Sequence, residues 1–180
     1  YGLCAVKTGR RVSRHPRNRV HEMPESALIP GAAVAYQDNT RAHGRNMTIQ
    51  LAAAMIVAAL LFGGMVLYSF GFAAFLFSTL PADSAGTLLR KAFPWFYLWV
   101  IVTAFVAALL QFGVDALSLA LLTVVALSTI PTRQLLMPAI NAASDAGDKQ
   151  RFNRLHGLSV LITLAHIAAV GVVLVRFLSL

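Results

Sequence analysis

The sequence predicts an all-α integral membrane protein: a four-helix bundle with a short interfacial helix after the first span and a disordered N-terminal arm. Residues 49–80 form an apolar run of 32 residues without a charged side chain or a histidine. A bilayer core of roughly 30 Å needs about 20 helical residues, and a soluble helix has no reason to stay uncharged on every face for so long. The chain is 58% hydrophobic and only 12% charged, whereas soluble domains average about 25% charged residues. This composition argues against a soluble globular fold.

Much of the positive charge lies in the N-terminal arm. The formal net charge is +8, and residues 1–46 hold eight of the fifteen basic and three of the seven acidic residues. Because this charge is not spread over a folded surface, we expect the lipid bilayer, and not nucleic acid, as the partner. Cys4 is the only cysteine, so neither an intramolecular disulfide nor a cysteine-based metal cluster can form.

Residues 1–46 show no sustained apolar period and are rich in arginine, proline and glycine, a composition that predicts disorder. Met47 stands directly before the first apolar run. We therefore hypothesise that residues 1–46 are mis-annotated upstream translation, that residues 47–180 form the transmembrane domain, and that Met23 is the competing start. The run at 49–80 is about twice as long as the apolar region of a secretory signal, which favours a retained span.

A short interfacial helix is predicted after Pro81, which ends the first span. Arg90 and Lys91 lie opposite the apolar residues of this helix and are expected to contact lipid head groups. Pro94 then opens the second span, at about 95–112. The apolar residues at helical spacing are Ala85, Leu88, Leu89, Ala92 and Phe93.

The third span is predicted at about 116–137, and Pro131 should kink it. Arg133 can extend from the end of this span to the lipid head groups. A polar stretch is predicted at 141–154, in which Asp145, Gly147 and Asp148 suit a turn and a helix N-cap. The fourth helix should run from about Lys149 to Phe177, and its apolar span from about 155 to 177.

Basic residues near the span ends predict the orientation. Counted from Met47, six of them lie on the side of the first and third connections, and only Arg176 lies on the other side. If translation starts at Met47, both termini should face away from the cytoplasm, and the expected location is a bacterial cytoplasmic (inner) membrane. The six residues are Arg90, Lys91, Arg133, Lys149, Arg151 and Arg154.

The fourth span carries the main candidate site. His156, Ser159, Thr163 and His166 are spaced by three, four and three residues, which places four polar side chains on one helix face. We expect that face to point into the bundle, where ionisable groups are costly and often mark proton paths, ligand sites or metal sites. The alternative is structural: Ser159 and Thr163 as interhelical hydrogen-bonding groups, His156 at the head-group level and His166 as a satisfied core histidine.

No catalytic site, metal site or cofactor is expected. His156 and His166 are ten residues apart, or about 15 Å along a helix, so one ion cannot bind both. The chain lacks a nucleophile elbow, a phosphate-binding glycine loop, paired carboxylates and a metalloprotease signature. Asp115, between the second and third spans, is expected to be a solvated turn residue.

Small residues in the first span, among them Gly63 and Gly64, should let another helix approach closely. We expect that helix to present the polar face of the fourth span. A straight helix over 49–80 would be about 48 Å long, so tilt, protrusion or a break near Gly63 must absorb the excess length. A break would favour a transport function.

Several segments carry a family resemblance: Gly63-Gly64-Met-Val-Leu-Tyr-Ser-Phe, Phe93-Pro94 and, above all, Phe152-Asn153-Arg154-Leu155-His156-Gly157-Leu158-Ser159. They resemble the transmembrane protein 205-like family, whose bacterial members carry this region as a membrane domain of unknown function. The resemblance covers about 61–175 and implies a four-helix membrane protein without an assigned activity. The motif residues it points to are Phe152, Asn153, Arg154, His156 and Ser159.

Two classes of function remain. One is a membrane protein of unassigned activity with a structural, accessory or partner-binding role, which docks a membrane-protein partner or a second copy through its small-residue faces. The other is permeation or binding of a small solute, proton or metal ion along the polar face of the fourth span. A polar cavity that reaches His166 from the basic side would favour the second class, and a tightly packed interior would favour the first.

Overall fold

The computed structural model describes residues 30–179, with side chains described from residue 34 onward. This part of the chain is helical almost throughout and contains no strand, which confirms the all-α class. The predicted four-helix membrane fold is also confirmed, because four helices in the described part are long and apolar enough to cross a membrane. They are Val34–Thr79, Ala82–Leu110, Ala116–Asp145 and Lys149–Ser179.

The first span consists of α1 (Pro30–Val66), a π-helical turn (Leu67–Phe72) and α2 (Ala73–Thr79). Residues 30–46 belong to the predicted disordered arm, but the structure places them in α1. They include several alanines, and extending an existing helix avoids the cost of nucleating a new one. The rest of the predicted arm, residues 1–29, lies outside the described residues.

Contacts along the chain divide it between Ala42 and His43. The second unit, which begins at His43, contains the bundle. In that unit the first span continues through Gly63 and Gly64 without a break, and the π-helical turn begins three residues later, at Leu67.

The second span is a single helix, α3 (Ala82–Leu110), with Pro94 in its interior. The structure therefore differs from the prediction of a separate interfacial helix before Pro94. A proline is tolerated inside a membrane helix when other groups satisfy the backbone around it. The group that Pro94 leaves without its helical partner is the carbonyl oxygen of Arg90, four residues earlier. Beside it, Nε of Arg133 donates a hydrogen bond of 3.1 Å to the carbonyl oxygen of Pro94 itself, which links α3 to the third span.

The third span consists of α4 (Ala116–Pro131), a π-helical turn (Thr132–Leu136) and α5 (Met137–Asp145). The irregular turn begins directly after Pro131, where the sequence predicts a kink. Because α5 continues to Asp145, it takes up the first five residues of the predicted polar stretch.

The fourth span is α6 (Lys149–Arg176), followed by a short 3₁₀ turn (Phe177–Ser179). It begins at Lys149, where the sequence predicts the start of the fourth helix, six residues before the predicted apolar span. Asp148 caps it, because the Asp148 side chain accepts a hydrogen bond of 3.0 Å from the Arg151 amide. The first turn of α6 thus gains a partner for one of its free N–H groups.

The bundle has two unlike ends. We call the end with the 80–81 and 146–148 connections the basic end, and the end with the 111–115 turn and Arg176 the closed end. The buried core extends from the middle of the bundle towards the closed end. It includes Ala58, Leu61, Val100, Ala104, Ala107, Leu122, Val125, Val170 and Val173.

The close approach of the first span occurs at Gly64, but its partner is not the one the sequence predicts. A Cβ atom at Gly64 would lie 2.2 Å from Cη2 of Trp99 in α3, whereas a Cβ at Gly63 would have no neighbour within 4 Å. The polar face of α6 instead contacts α3 and α4, through Ser159 and His166. Gly64 thus packs against an aromatic ring of the second span.

Candidate functional site

A cavity of about 400 Å³ lies at the basic end, between α3, α5 and the first turns of α6, with Phe77 of α2 at its side. Its volume falls in the range of small-molecule sites, which are mostly apolar with a few polar groups. We call it the basic-end cavity. The polar side chains that line it are Arg90, Tyr97, Asn141, Ser144, His156 and Ser159.

The outer part of the cavity is held by an exposed ion pair. Arg90 donates hydrogen bonds to Asp145 and, at 2.6 Å, to Ser144, which links α3 to the end of α5. The side chains of Arg90 and Asp145 are 40% and 66% exposed. An ion pair this exposed contributes little to stability and can rearrange at low cost.

His156 and Asn141 face the cavity with their polar groups free. The imidazole of His156 stacks on the ring of Phe152, with ring centroids 5.5 Å apart and planes 6° from parallel. Within residues 34–179, neither the His156 ring nor the Asn141 amide makes a side-chain hydrogen bond. Both groups can therefore bind a ligand without breaking an internal bond.

The floor of the cavity is formed by Tyr97 and Ser159. Their hydroxyl oxygens lie 3.4 Å apart, and Tyr97 is only 6% exposed. On the other side of this contact lies a void of about 10 Å³, lined in part by Thr163 and His166. That volume is enough for about one water molecule.

The interior between Tyr97 and His166 is therefore tightly packed. His166 Nε2 lies 2.8 Å from Ser128 Oγ of α4, so the imidazole already has a hydrogen-bond partner. The polar face of α6 is divided in two: its first half lines the basic-end cavity, and its second half lines the small void. His166 also borders the outer groove near Pro131 and Leu135.

The family described as Domain of unknown function (DUF4149) matches residues 56–149, which is more than half of the chain. The chain belongs to the DUF4149 family. No curated protein and no solved structure matches it.

The matched region contains the second and third spans, and with them Arg90 and Asn141 of the cavity wall. It ends at residue 149, before the Phe-Asn-Arg-Leu-His segment. The family match of this DUF4149 protein therefore covers α3 and α5, which form the other walls of the cavity, but it does not cover the cavity-lining residues of α6.

The structure separates the residues that the sequence singles out. His156 and Ser159 line the basic-end cavity, and Thr163 and His166 line the small void. Phe152 also lines the cavity. Its neighbours Asn153 and Arg154 are exposed and lie outside the cavity wall.

The three basic side chains predicted to contact lipid head groups have different surroundings. Arg90 reaches Asp145 and Ser144, Arg133 reaches the Pro94 carbonyl, and Lys91 is exposed. Of these basic side chains only Arg90 lines the cavity.

Sequence reasoning missed Asn141 and Ser144. Both fall in residues 141–154, which read as a polar loop, whereas the structure places them on the last turns of α5. Asn141 and Ser144 are three residues apart, the spacing that puts two side chains on one helix face. That spacing could have identified them.

The prediction that Asp115 is a solvated turn residue is wrong. It is 8% exposed, and its two carboxylate oxygens accept hydrogen bonds of 2.7 Å each from Nε and Nη2 of Arg176. It also caps α4 by accepting from the Ser118 amide at 3.1 Å. Hydrogen bonds from Arg176, and then from Ser118, hold the pKa of the Asp115 carboxyl well below its usual range.

In the part of the chain that the structure describes, no three His, Cys, Asp or Glu side chains come together as a metal site would require. The basic-end cavity is lined by groups that donate or share hydrogen bonds. The chemistry that this arrangement supports is binding.

Proposed function

We propose that this DUF4149 protein binds a small ligand in the basic-end cavity, and that it acts by binding and not by catalysis or conduction. The observation that carries the proposal is a cavity of about 400 Å³ with the free polar groups of His156 and Asn141 in its wall. A mostly apolar pocket with a few convergent polar groups is the usual form of a small-molecule site.

The contrast with other surface depressions supports this choice. The groove bordered by Gly64 and Trp95 and the groove bordered by Pro131, Leu135 and His166 are larger, but the exposed surface of both is almost entirely apolar. Such surfaces suit lipid chains in a membrane protein. The basic-end cavity has the polar groups that orient a specific ligand.

A cavity-filling substitution tests the proposal. Gly86 lines the cavity and has no heavy atom within 4 Å of an added Cβ, and the same is true of Gly63, which lies outside the cavity. Native mass spectrometry of protein purified in mild detergent should show a retained small molecule on the wild type and on Gly63→Leu, but not on Gly86→Leu. A wild type without a retained molecule, or equal retention by Gly86→Leu, would contradict the proposal.

Conduction is the competing use of the polar face. The packed contact between Tyr97 and Ser159, and the small void beyond it, argue against a continuous path past His166. In proteoliposomes we expect proton and small-cation flux equal to that of empty liposomes. A flux abolished by His166→Ala would favour permeation instead.

A structural or accessory subunit is the second candidate function, and the packed interior near His166 favours it. The partner would be another membrane protein or a second copy of the chain, with lipid around the bundle and no nucleic acid involved. Cross-linking in native membranes, followed by purification in mild detergent, tests this role. A monomer free of partners would weaken it.

We further propose that the chain is related to the transmembrane protein 205-like family and lies in a bacterial cytoplasmic membrane with both termini outside the cytoplasm. The basic residues of the basic end support that orientation. Single cysteines placed at exposed Gln150 and Ser179 in a Cys4→Ser background test it. A membrane-impermeant thiol reagent on intact cells should label the second and not the first.

A further inference from the structure

The hydrogen-bonding groups at the outer part of the basic-end cavity share one chemical preference. Arg90 contributes a guanidinium, Asn141 an amide, Ser144 a hydroxyl and His156 an imidazole, and no carboxylate belongs to the lining. Guanidinium, amide and imidazole N–H groups form their strongest hydrogen bonds with anionic oxygens. The donor set therefore fits a carboxylate or a phosphate.

The carboxylate of Asp145 accepts the Arg90 hydrogen bond that an anionic ligand would take. The Asp145 side chain is 66% exposed and borders water. Exposed ion pairs contribute about 0–1 kcal/mol. A ligand anion can displace Asp145 from Arg90 at little cost and leave it solvated.

The charge of the basic end favours the same ligand. Within residues 80–154, and apart from the Asp115 turn, this end carries six basic and three acidic side chains. Lys91, Lys149 and Arg151 are exposed around the connections. An excess of positive charge raises the local concentration of anions.

The remaining wall is apolar and is shaped for a chain. Leu89 and Phe93 of α3 face Met137 and Ile140 of α5, and Phe77 of α2 lies at the side where the cavity meets the lipid-facing surface. A volume of about 400 Å³ lies within the range of about 300–1,000 Å³ that is usual for small-molecule sites. One short alkyl chain and a small head group fill such a space.

We propose that the ligand of the basic-end cavity is an anionic amphiphile with a single alkyl chain, its head group bound by Arg90, Asn141 and His156 and its chain lying between α3 and α5. This inference rests on the proposed binding function and specifies its ligand class. A carboxylate and a phosphate head group share the required chemistry, so both belong to the proposal.

Native mass spectrometry of the full chain in a non-ionic detergent tests the class with defined probes. Dodecyl phosphate and dodecanoate should bind at least about tenfold more tightly than dodecanol or dodecyltrimethylammonium, as expected for a hydrogen-bonded charge. Inorganic phosphate alone should not bind at the same concentrations. Gly86→Leu should weaken the anionic probes at least about tenfold, and the control Gly63→Leu should not.

Arg90→Gln and Lys91→Gln form the second matched pair, because only Arg90 lines the cavity. Arg90→Gln should reduce binding of the anionic probes to the level of dodecanol, whereas Lys91→Gln should leave it unchanged. Binding of dodecanol as tight as that of dodecyl phosphate and equally lost in Gly86→Leu would overturn the anionic class while leaving the binding function in place. Inorganic phosphate bound as tightly as dodecyl phosphate would overturn the amphiphile. If no probe binds in a Gly86-dependent way, the ligand class is wrong, whatever the purified wild type retains.

Discussion

The helices are joined by different kinds of contact at the two ends of the bundle. At the closed end, Arg176 meets an Asp115 side chain that is 7% exposed, and Gln50 of α1 donates a 3.0 Å hydrogen bond to the carbonyl oxygen of Leu110. At the basic end, Arg90 meets an Asp145 side chain that is 66% exposed, next to a cavity. At the closed end the turn is bonded to nearly buried side chains, whereas at the basic end a cavity lies between the helices.

This difference indicates a division of roles along the bundle. Tightly packed regions hold the helices in register, whereas binding regions are drawn from the less stable parts of a structure. The buried core ends near Tyr97, which is also the floor of the basic-end cavity. The closed end is therefore the scaffold, and the basic end is the part that can adapt to a ligand.

The largest expected effect comes from truncating two leucine side chains, one in the buried core and one beside the basic-end cavity. Leu122 of α4 is 0% exposed, so Leu122→Ala leaves a new cavity and should lower the free energy of unfolding by about 2–5 kcal/mol. Leu89 already borders a cavity, and Leu89→Ala should have less than half that effect. Denaturant unfolding in mild detergent measures both. Equal losses would contradict the division into scaffold and binding end.

The adjacent glycines of the first span test how tightly the middle of the bundle is packed. Gly64→Ala places a Cβ 2.2 Å from Trp99 Cη2, and such overpacking should destabilise the protein by about 1–3 kcal/mol. Gly63→Ala meets no neighbour and should stabilise the helix by up to about 1 kcal/mol. Melting temperatures of the two variants should therefore shift in opposite directions. A neutral Gly64→Ala would mean that the first span moves freely relative to α3.

Matched substitutions compare the two ion pairs. Asp115→Asn removes the charge that binds Arg176 in a nearly buried position, and the melting temperature should fall by at least about 4 °C. Asp145→Asn breaks an exposed pair, and the fall should stay below about 2 °C. Circular dichroism during heating in detergent distinguishes them. A larger effect at Asp145 would reverse the comparison.

The pH dependence of stability should differ between the wild type and Asp115→Asn. Arg176 and Ser118 hold the pKa of Asp115 below its usual range, so the folded state favours the carboxylate. The stability gained is fully present above the unfolded pKa of about 3.9 and is lost as pH falls towards the lower folded pKa. The melting-temperature difference between wild type and Asp115→Asn should be constant from pH 5 to 8 and narrow below about pH 4. A difference that already narrows between pH 7 and 5 would contradict this assignment.

The sequence is enough to predict the spans, because long uncharged runs have no stable place outside a bilayer. It does not fix where a helix ends near a proline. Pro94 reads as a boundary, yet α3 continues through it, and Arg133, distant in sequence, donates a hydrogen bond to the Pro94 carbonyl from the third span.

The candidate site is predictable only in part. The helical period places His156 and Ser159 on one face, but a period cannot show that the cavity ends at Ser159. The Asp115 and Arg176 pair follows from the topology, since both residues fall at the same end of a four-span bundle. Their pairing could have been inferred from that placement, whereas the angle between helices that opens the basic-end cavity depends on packing throughout the molecule.

The smallest expected effect concerns two glutamines at the closed end. Gln111 is 1% exposed, and within the described residues neither its amide nitrogen nor its amide oxygen has a hydrogen-bond partner. A buried polar group without a partner is destabilising, so Gln111→Met, which keeps the length and removes the amide, should be neutral or stabilising by up to about 1 kcal/mol. Gln50→Met removes the bond to the Leu110 carbonyl and should destabilise by about 0.5–1.5 kcal/mol. Denaturant unfolding measures the change in the free energy of unfolding for each variant. Changes of opposite sign would show that specific hydrogen bonds, and not polarity alone, stabilise the closed end. A destabilised Gln111→Met would mean that its amide has a role in this end of the bundle.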